Sequence, residues 1–357
     1  MIQNKKKPKK KFIINSVSSK NYLALKDLAL KHTLLNLPAD DKLLKSKIKM
    51  SESSFAKKVP AKKQNFLFIL REITNNKDLK KSIILGTSQI SAKVGTSNKP
   101  FYSLQLNKKE NYLQLRTITD GPSYLGGLIV RKEYRGHPEK IGKQLSLIRF
   151  LWAAIKPNSF ESTLHAEVAP FSNKEGKYPF FEDFIKKIIP LSMEEIDYLT
   201  LVDKEKLFSF FPRKKFFLSS LPREVVEALG KPNSLSGRAA HLLKKQNFRF
   251  CGDVDPFDGG PYFQANTKEI PIIKNTLKVT LKIKKETNNS LENKNPLKNK
   301  TVLENKKWLW GQIKEHNFKG GVLEGEITKQ NTLLVLKKEL DIFSLKNKEL
   351  IFITPFD

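Results

Sequence analysis

The chain is poor in cysteine, arginine and long apolar runs, and each shortage removes a class of function. A single cysteine, Cys251, excludes an internal disulfide and fits a reducing, cytoplasmic setting. Nothing beside it in FRFCGDVD resembles an activating histidine, so it is a weak nucleophile candidate. No stretch approaches the roughly 18 apolar residues of a membrane span. The five histidines (His32, His137, His165, His241 and His316) lack metal-ligand spacing, and no metal is expected. Only nine of the 66 basic residues are arginine. Arginine is the usual reader of bases and phosphates, so nucleic acid is expected to bind only non-specifically, through charge. No internal repeat is evident.

What remains is 357 residues with a formal charge of +30 and a 39% apolar share, enough for one large or two smaller domains. MIQNKKKPKKK opens the chain as a basic tail with no apolar block behind it for a secretory signal. The organising stretch is Gly121 to Pro157. A short apolar run, Leu128-Ile129-Val130, reads as a buried strand. A basic loop, Arg131 to Lys140, follows. Apolar residues at Ile141, Leu145, Ile148, Trp152 and Ile155 then predict a helix that Pro157 stops. Free N–H groups and the positive dipole end at such a helix start suit phosphate. No full glycine-rich fingerprint is present, since His-Pro-Glu-Lys-Ile separates Gly136 from Gly142.

Strands are expected at Phe12-Ile14, Phe66-Leu70, Lys81-Ala92, Pro100-Leu106, Tyr112-Ile118, Leu164-Val168 and Phe248-Cys251. Helices are expected at Tyr22-Leu30, after Asp40 or Asp41, and at Phe180-Ile189, Leu221-Leu229 and Leu235-Lys245. The succession favours a mixed α/β sheet. Composition shifts near Asn275, and Glu286 to Lys300 reads as a linker. Short strands from Trp308 to Phe356 suggest a small β subdomain. The Phe208-Phe217 cluster reads as core or interface rather than base-stacking surface. Two carboxylate features stand out: Asp253, Asp255 and Asp258 gather within six positions around the last strand of this part, able to hold a cationic group or to serve as turn residues, and Glu167 sits inside an apolar strand where a charge needs a partner.

Several motifs together resemble the arginine N-succinyltransferase family, whose members have the acyl-CoA N-acyltransferase (GNAT) fold. They are LPAD (Leu37-Asp40), KPFYSL (Lys99-Leu104), LIV (Leu128-Val130), IRF (Ile148-Phe150), AEV (Ala166-Val168), GKYPFF (Gly176-Phe181) and FRF with DPFDGGP (Phe248-Pro261). The resemblance implies succinyl transfer from succinyl-CoA to the α-amine of arginine, in arginine catabolism. It implies a GNAT-like mixed sheet with helices on both faces over 12–275, after a tail at 1–11. Residues 276–307 then form a strand and linker, and 308–357 the small β subdomain. Cofactor contacts are expected from Leu128, Val130, Lys140, Gly142 and Lys143, arginine contacts from Glu175 and Asp258, and catalysis from Glu167 and Asn233. Asn233 stands where the family has a proton-donating histidine. Other departures are two extra residues around His137-Pro138, Lys140 in place of a glycine, Ser123-Tyr124-Leu125 for a Ser-Glu-Leu, and Leu243 where the wider fold often has a tyrosine acid. A diverged acyltransferase for another amine, and a catalytically impaired binding protein of the same fold, stay open, as does a homo-oligomer.

Overall fold

A computed structural model describes residues 10–32, 37–73, 83–233, 237–284 and 306–356. The linker expected at Glu286-Lys300 and most of the basic tail lie outside these residues. In chain order the first half comprises β1 (Lys11–Ser16), α1 (Tyr22–Lys31), α2 (Asp41–Phe55), β2 (Asn65–Ile73), β3 (Gly86–Ser91), β4 (Phe101–Asn107), β5 (Tyr112–Ile118), β6 (Ser123–Val130), α3 (Ile141–Ile155) and β7 (Thr163–Glu167). A π-helical turn (Phe181–Ile185) then runs into α4 (Lys186–Ile188), followed by α5 (Met193–Val202), α6 (Lys204–Ser209), β8 (Phe216–Phe217), α7 (Arg223–Ala228), α8 (Gly237–Lys245), β9 (Arg249–Val254) and β10 (Pro261–Asn266). The remainder is α9 (Pro271–Lys274), β11 (Leu277–Ile283), β12 (Lys306–Lys314), β13 (Asn317–Ile327), β14 (Thr332–Val335), α10 (Lys337–Ile342) and β15 (Leu350–Pro355).

The result is a mixed α/β fold on one continuous sheet. Local chemistry accounts for the element ends. Asp40 caps α2 by accepting from the Leu43 N–H at 2.8 Å. Ser192 and Glu195 form a capping box at the start of α5. Gly230, with φ of +70°, ends α7.

The unbroken apolar run in β2 has a direct cause. Phe66, Phe68 and Leu70 pack into the cluster around α3, while Leu67 and Ile69 pack on Leu25, Leu28, Leu44 and Ile48 of α1 and α2. A strand covered on both faces needs no polar alternation. A second core gathers the phenylalanine-rich segment: Phe208 and Phe211 are buried with Phe180, Phe184 and Phe257, although Phe210 and Phe217 are exposed.

At the C-terminus β12 pairs with β15, β15 with β11, β11 with β14, β14 with β13, and β13 with β12. These five strands therefore close into a ring, which has no free edge. Trp308, Trp310, Leu281, Leu323, Val335 and Ile353 pack together as its core. β13 also pairs with β1, joining the ring to the rest of the sheet.

Candidate active site

The site forms where β6 and β7 part. These strands are parallel neighbours, paired only from Ser123 opposite Leu164 to Leu125 opposite Ala166. Beyond Leu125, β6 continues to Val130 without β7. On its other edge β6 is paired with β3, and there Thr87 faces Ile129 while Gln89 faces Gly126. Two positions on β3 thus span three on β6, a bulge at Gly127-Leu128. Gly127 has φ of +56°, and a Cβ there would lie 3.2 Å from that of Gln89, so the bulge suits glycine. A cavity of about 590 Å³ opens at this fork, reaching from Gly126, Gly127 and Leu128 to Glu167, Asp255 and Asp258.

The acidic wall comes from three elements. Glu167 ends β7, Asp255 and Asp258 lie in the β9–β10 turn, and Asp197 comes from α5. One oxygen each of Glu167, Asp255 and Asp258 lies within 4.8 Å of the others, a grouping able to hold a cation, metallic or organic. The turn is shaped for this. Asp255 Oδ1 accepts from the N–H groups of Phe257 and Asp258 at 2.8 and 3.1 Å, and Asp258 Oδ1 accepts from the Gly260 N–H at 2.7 Å. A Cβ on Gly260 would come within 2.9 Å of both Asp258 Oδ1 and the Val168 carbonyl. Tyr124 donates to Glu167 Oε2 at 2.6 Å and Tyr262 to Asp255 Oδ2 at 3.0 Å.

Crowding and burial set the charge state. Burial, reinforced by the Asp255 charge, pushes the Glu167 carboxyl up to about 7. Burial and then Asp255 and Glu167 hold Asp258 well above the usual carboxylate range. Asp197 rises to about 6, again by burial first and Asp255 second. Lys204 of α6 lies over the rings of Phe101, Tyr102 and Phe208 at 5.4 to 5.8 Å, and burial lowers its ammonium despite the nearby acids. By contrast the buried Asp253 is satisfied by Ser103 Oγ at 2.9 Å and Arg116 at 3.2 Å, and it does not line the cavity.

The residues singled out in the sequence fall into three groups. Leu128, Glu167 and Asp258 line the one cavity. Lys140, Gly142 and Lys143 sit together at the start of α3, just past Val130: Lys140 is in a left-handed conformation (φ of +50°) as its N-cap, and Lys143 Nζ lies 5.0 Å from the Phe356 ring centre. A Cβ on Gly142 would meet only Val130 Cγ2, at 3.6 Å. Asn233 and Glu175 are elsewhere. Asn233 donates from Nδ2 to Ser172 Oγ at 2.6 Å and from its backbone N–H to the Ala169 carbonyl at 2.9 Å, just behind the cavity wall. Glu175 is exposed and lines a separate pocket with Glu224, Glu227 and Lys231. Tyr124, Asp197, Lys204 and Arg149 also face the large cavity, and none was singled out for a role from sequence. The one available signal was Tyr124, standing at a family position otherwise occupied by an acid. His137 packs edge-on against Phe12 at 5.0 Å, and the Cys251 thiol is pushed up to about 11 by burial. Among the described residues no helix is long and apolar enough to cross a membrane.

The family described as arginine N-succinyltransferase beta subunit has a model that matches residues 12–272. An arginine N-succinyltransferase of Yersinia pestis is 25% identical over 264 residues, covering 70% of this chain and 73% of its own. The arginine N-succinyltransferase subunit beta of Pseudomonas aeruginosa is 27% identical over 286 residues, covering 76% of this chain and 81% of its own. Among solved structures, arginine/ornithine succinyltransferase subunit AI from Pseudomonas aeruginosa has the same fold, with a TM-score of 0.76 over 97% of this chain and 99% of that one at 19% identity.

Proposed function

The chain belongs to the arginine N-succinyltransferase beta subunit family, and on that premise we propose that it transfers a succinyl group from succinyl-CoA to the α-amine of arginine. The observation that carries this reading is the single cavity joining a cluster of carboxylates to the open fork between β6 and β7. A GNAT-like placement follows. The thioester arm enters the fork beside Leu128, and the diphosphate rests on the first N–H groups of α3 near Gly142, with Lys140 and Lys143 beside it. Asp258 and its neighbours hold the cationic substrate, since a guanidinium is best met by buried carboxylates. Glu175, in the separate pocket, takes no part.

The chemistry then assigns roles. The α-ammonium must lose a proton before its nitrogen attacks the thioester carbon. Glu167, with Oε1 accepting no hydrogen bond among the described residues, takes that proton. The N–C bond forms, the nitrogen sheds its second proton to solvent and the C–S bond breaks, with backbone N–H groups at the β6 bulge facing the developing oxyanion. The departing thiolate is protonated by Tyr124, which regains its proton from Glu167. Overall one proton is released to solvent. Asn233 can hydrogen-bond but cannot cycle a proton, so it orients the chain behind Ala169.

Mass-spectrometric detection of succinylarginine from succinyl-CoA and arginine tests the reaction; no product with enzyme that binds both substrates would refute it. Two variants test the roles. Asp258→Asn is expected to raise KM for arginine about 10- to 100-fold, because asparagine cannot ionise against the bound guanidinium as the carboxyl does, while succinyl-CoA binding measured by calorimetry stays unchanged. Tyr124→Phe is expected to lower kcat about 100-fold. Its hydrogen bond favours the ionised Glu167, so removing it pushes that carboxyl higher still and moves the acidic limb of the kcat/KM profile to higher pH. An unmoved limb would refute the Tyr124–Glu167 coupling.

A further inference from the structure

The cavity that the carboxylates line is also lined by a buried cation that no described carboxylate pairs. Arg149 of α3 is 4% exposed and lines the cavity beside Gly126, Gly127 and Leu128. Among the described residues it forms no ion pair. Its bonds go to neutral oxygens: Nε to the Ser146 carbonyl at 3.1 Å, Nη2 to Ser146 Oγ at 2.9 Å, and Nη1 to the Gly126 carbonyl at 3.4 Å. A guanidinium has five N–H donors, so one on each terminal nitrogen is left over. Arg131, similarly buried, is by contrast paired with Asp27. A buried charge without a partner is costly unless a ligand supplies the counter-charge. A second group can supply a donor: Gln89 Nε2 contacts Ser91 Oγ at 3.3 Å, and since a hydroxyl can also donate, a flip of the amide keeps that contact and turns Nε2 to where Oε1 now lies. Gln89, on β3, is buried and lines the same wall, and its Oε1 has no hydrogen-bond partner. That oxygen lies 3.7 Å from where a Cβ on Gly127 would sit, placing the side-chain amide at the bulge.

From this arrangement we infer that Arg149 is the specificity-determining residue for the acyl group: its two spare N–H groups grip the terminal carboxylate of the acyl chain, with the Gln89 amide turned to donate alongside. The inference rests on the acyl-transfer reading and adds why a dicarboxylic acyl group is chosen. The one cavity then offers both charges, carboxylates for the cationic amine and a guanidinium for the anionic end of the donor. A neutral acyl chain of the same length would leave the guanidinium unpaired, and a site built around a buried polar group discriminates strongly against a ligand that leaves it so.

The test compares succinyl-CoA with butyryl-CoA, which has the same four-carbon acyl chain without the carboxylate. Wild-type protein is expected to bind succinyl-CoA about 100-fold more tightly in calorimetry and to show a similar preference in kcat/KM. Arg149→Met should abolish the preference by weakening succinyl-CoA alone, with butyryl-CoA unchanged or improved and KM for arginine unmoved. Arg149→Lys keeps the charge without the fork and should retain about a tenth of the preference; it serves if the methionine variant does not fold. Equal binding of both donors by wild type, or an equal loss for both in the variants, would overturn the assignment. The calorimetric preference needs no turnover. Absence of succinylarginine with that preference intact therefore defeats the reaction and spares Arg149, whereas turnover with no preference does the reverse.

Discussion

Glu167→Gln lowers kcat/KM for arginine about 10²- to 10⁴-fold, because glutamine keeps the shape and the Tyr124 contact but cannot accept a proton. The pH profile carries the diagnosis. Burial and Asp255 hold the Glu167 carboxyl near 7, so the wild-type rate climbs as pH rises through about 7 and the base becomes ionised. The groups facing it are Tyr124 from β6, Asp255 and Asp258 from the turn, Tyr262 from β10, Asp197 from α5 and Lys204 from α6; of these Lys204 alone favours the charged form by its charge. In the variant the residual rate should lose that limb. Stability moves the other way. A folded-state carboxyl raised from 4.5 to about 7 means the native protein holds more protons than the unfolded chain across that window. Glu167 is therefore destabilising above pH 7 and neutral in effect below 4.5. The variant should show a higher urea midpoint than wild type at pH 8 and an equal one at pH 4.5. Undiminished turnover at pH 8 would remove Glu167 from the proton path.

The same residue shows what sequence can reveal. Glu167 was conspicuous because a carboxylate in an apolar strand demands a reason, and Asp258 because acids clustered in a glycine-rich turn. The strand–loop–helix from Leu128 to Ile155 was legible through periodicity and its Gly and Pro boundaries, which are local signals. The partners of Glu167 were not. Tyr124 lies 43 positions before it and meets it only because β6 and β7 run parallel side by side. Asp197 and Lys204 arrive on α5 and α6, whose sequence looks like any amphipathic surface helix. Arg149 sits in a helix whose apolar stripe says nothing of a buried charge. Glu175 is expected at the substrate only as a second carboxylate for the guanidinium, but the Asn173–Lys177 turn, closed by Asn173 Oδ1 on the Lys177 N–H at 2.9 Å, leaves it exposed in a separate pocket. Closure of the C-terminal strands into a ring was equally hidden, since it needs the parallel pairing of β11 with β14 across some fifty residues, and no local pattern encodes that.

That ring bears on a strong expectation about stability: a chain ending at residue 305 should not fold, despite retaining every residue of the proposed site. β13 is the neighbour of β1 on the side away from β2, and its removal exposes β1 as an unpaired edge. Leu309, Phe318, Val322 and Phe356 belong to the same core as Phe68, Ile148, Leu151 and Trp152, and Phe318 meets the rings of Phe68 and Trp152 edge-on at 5.2 and 5.4 Å. Glycines at 311 and 320 let the strands come this close: a Cβ on Gly320 would lie 2.6 Å from the Trp310 carbonyl and 3.0 Å from Ile148 Cδ1. Losing Phe318 alone should cost about 3–5 kcal/mol, a large part of the stability of an ordinary domain. Phe318→Ala is thus the graded version of the truncation, expected to lower the denaturant midpoint sharply while leaving m and the succinyl-CoA preference as they were. A soluble, cooperatively folded 1–305 fragment binding succinyl-CoA would show instead that the ring is an independent appendage. The geometry argues otherwise, because α3, which carries both the proposed diphosphate seat at its start and Arg149 in its third turn, packs on β12, β13 and β15.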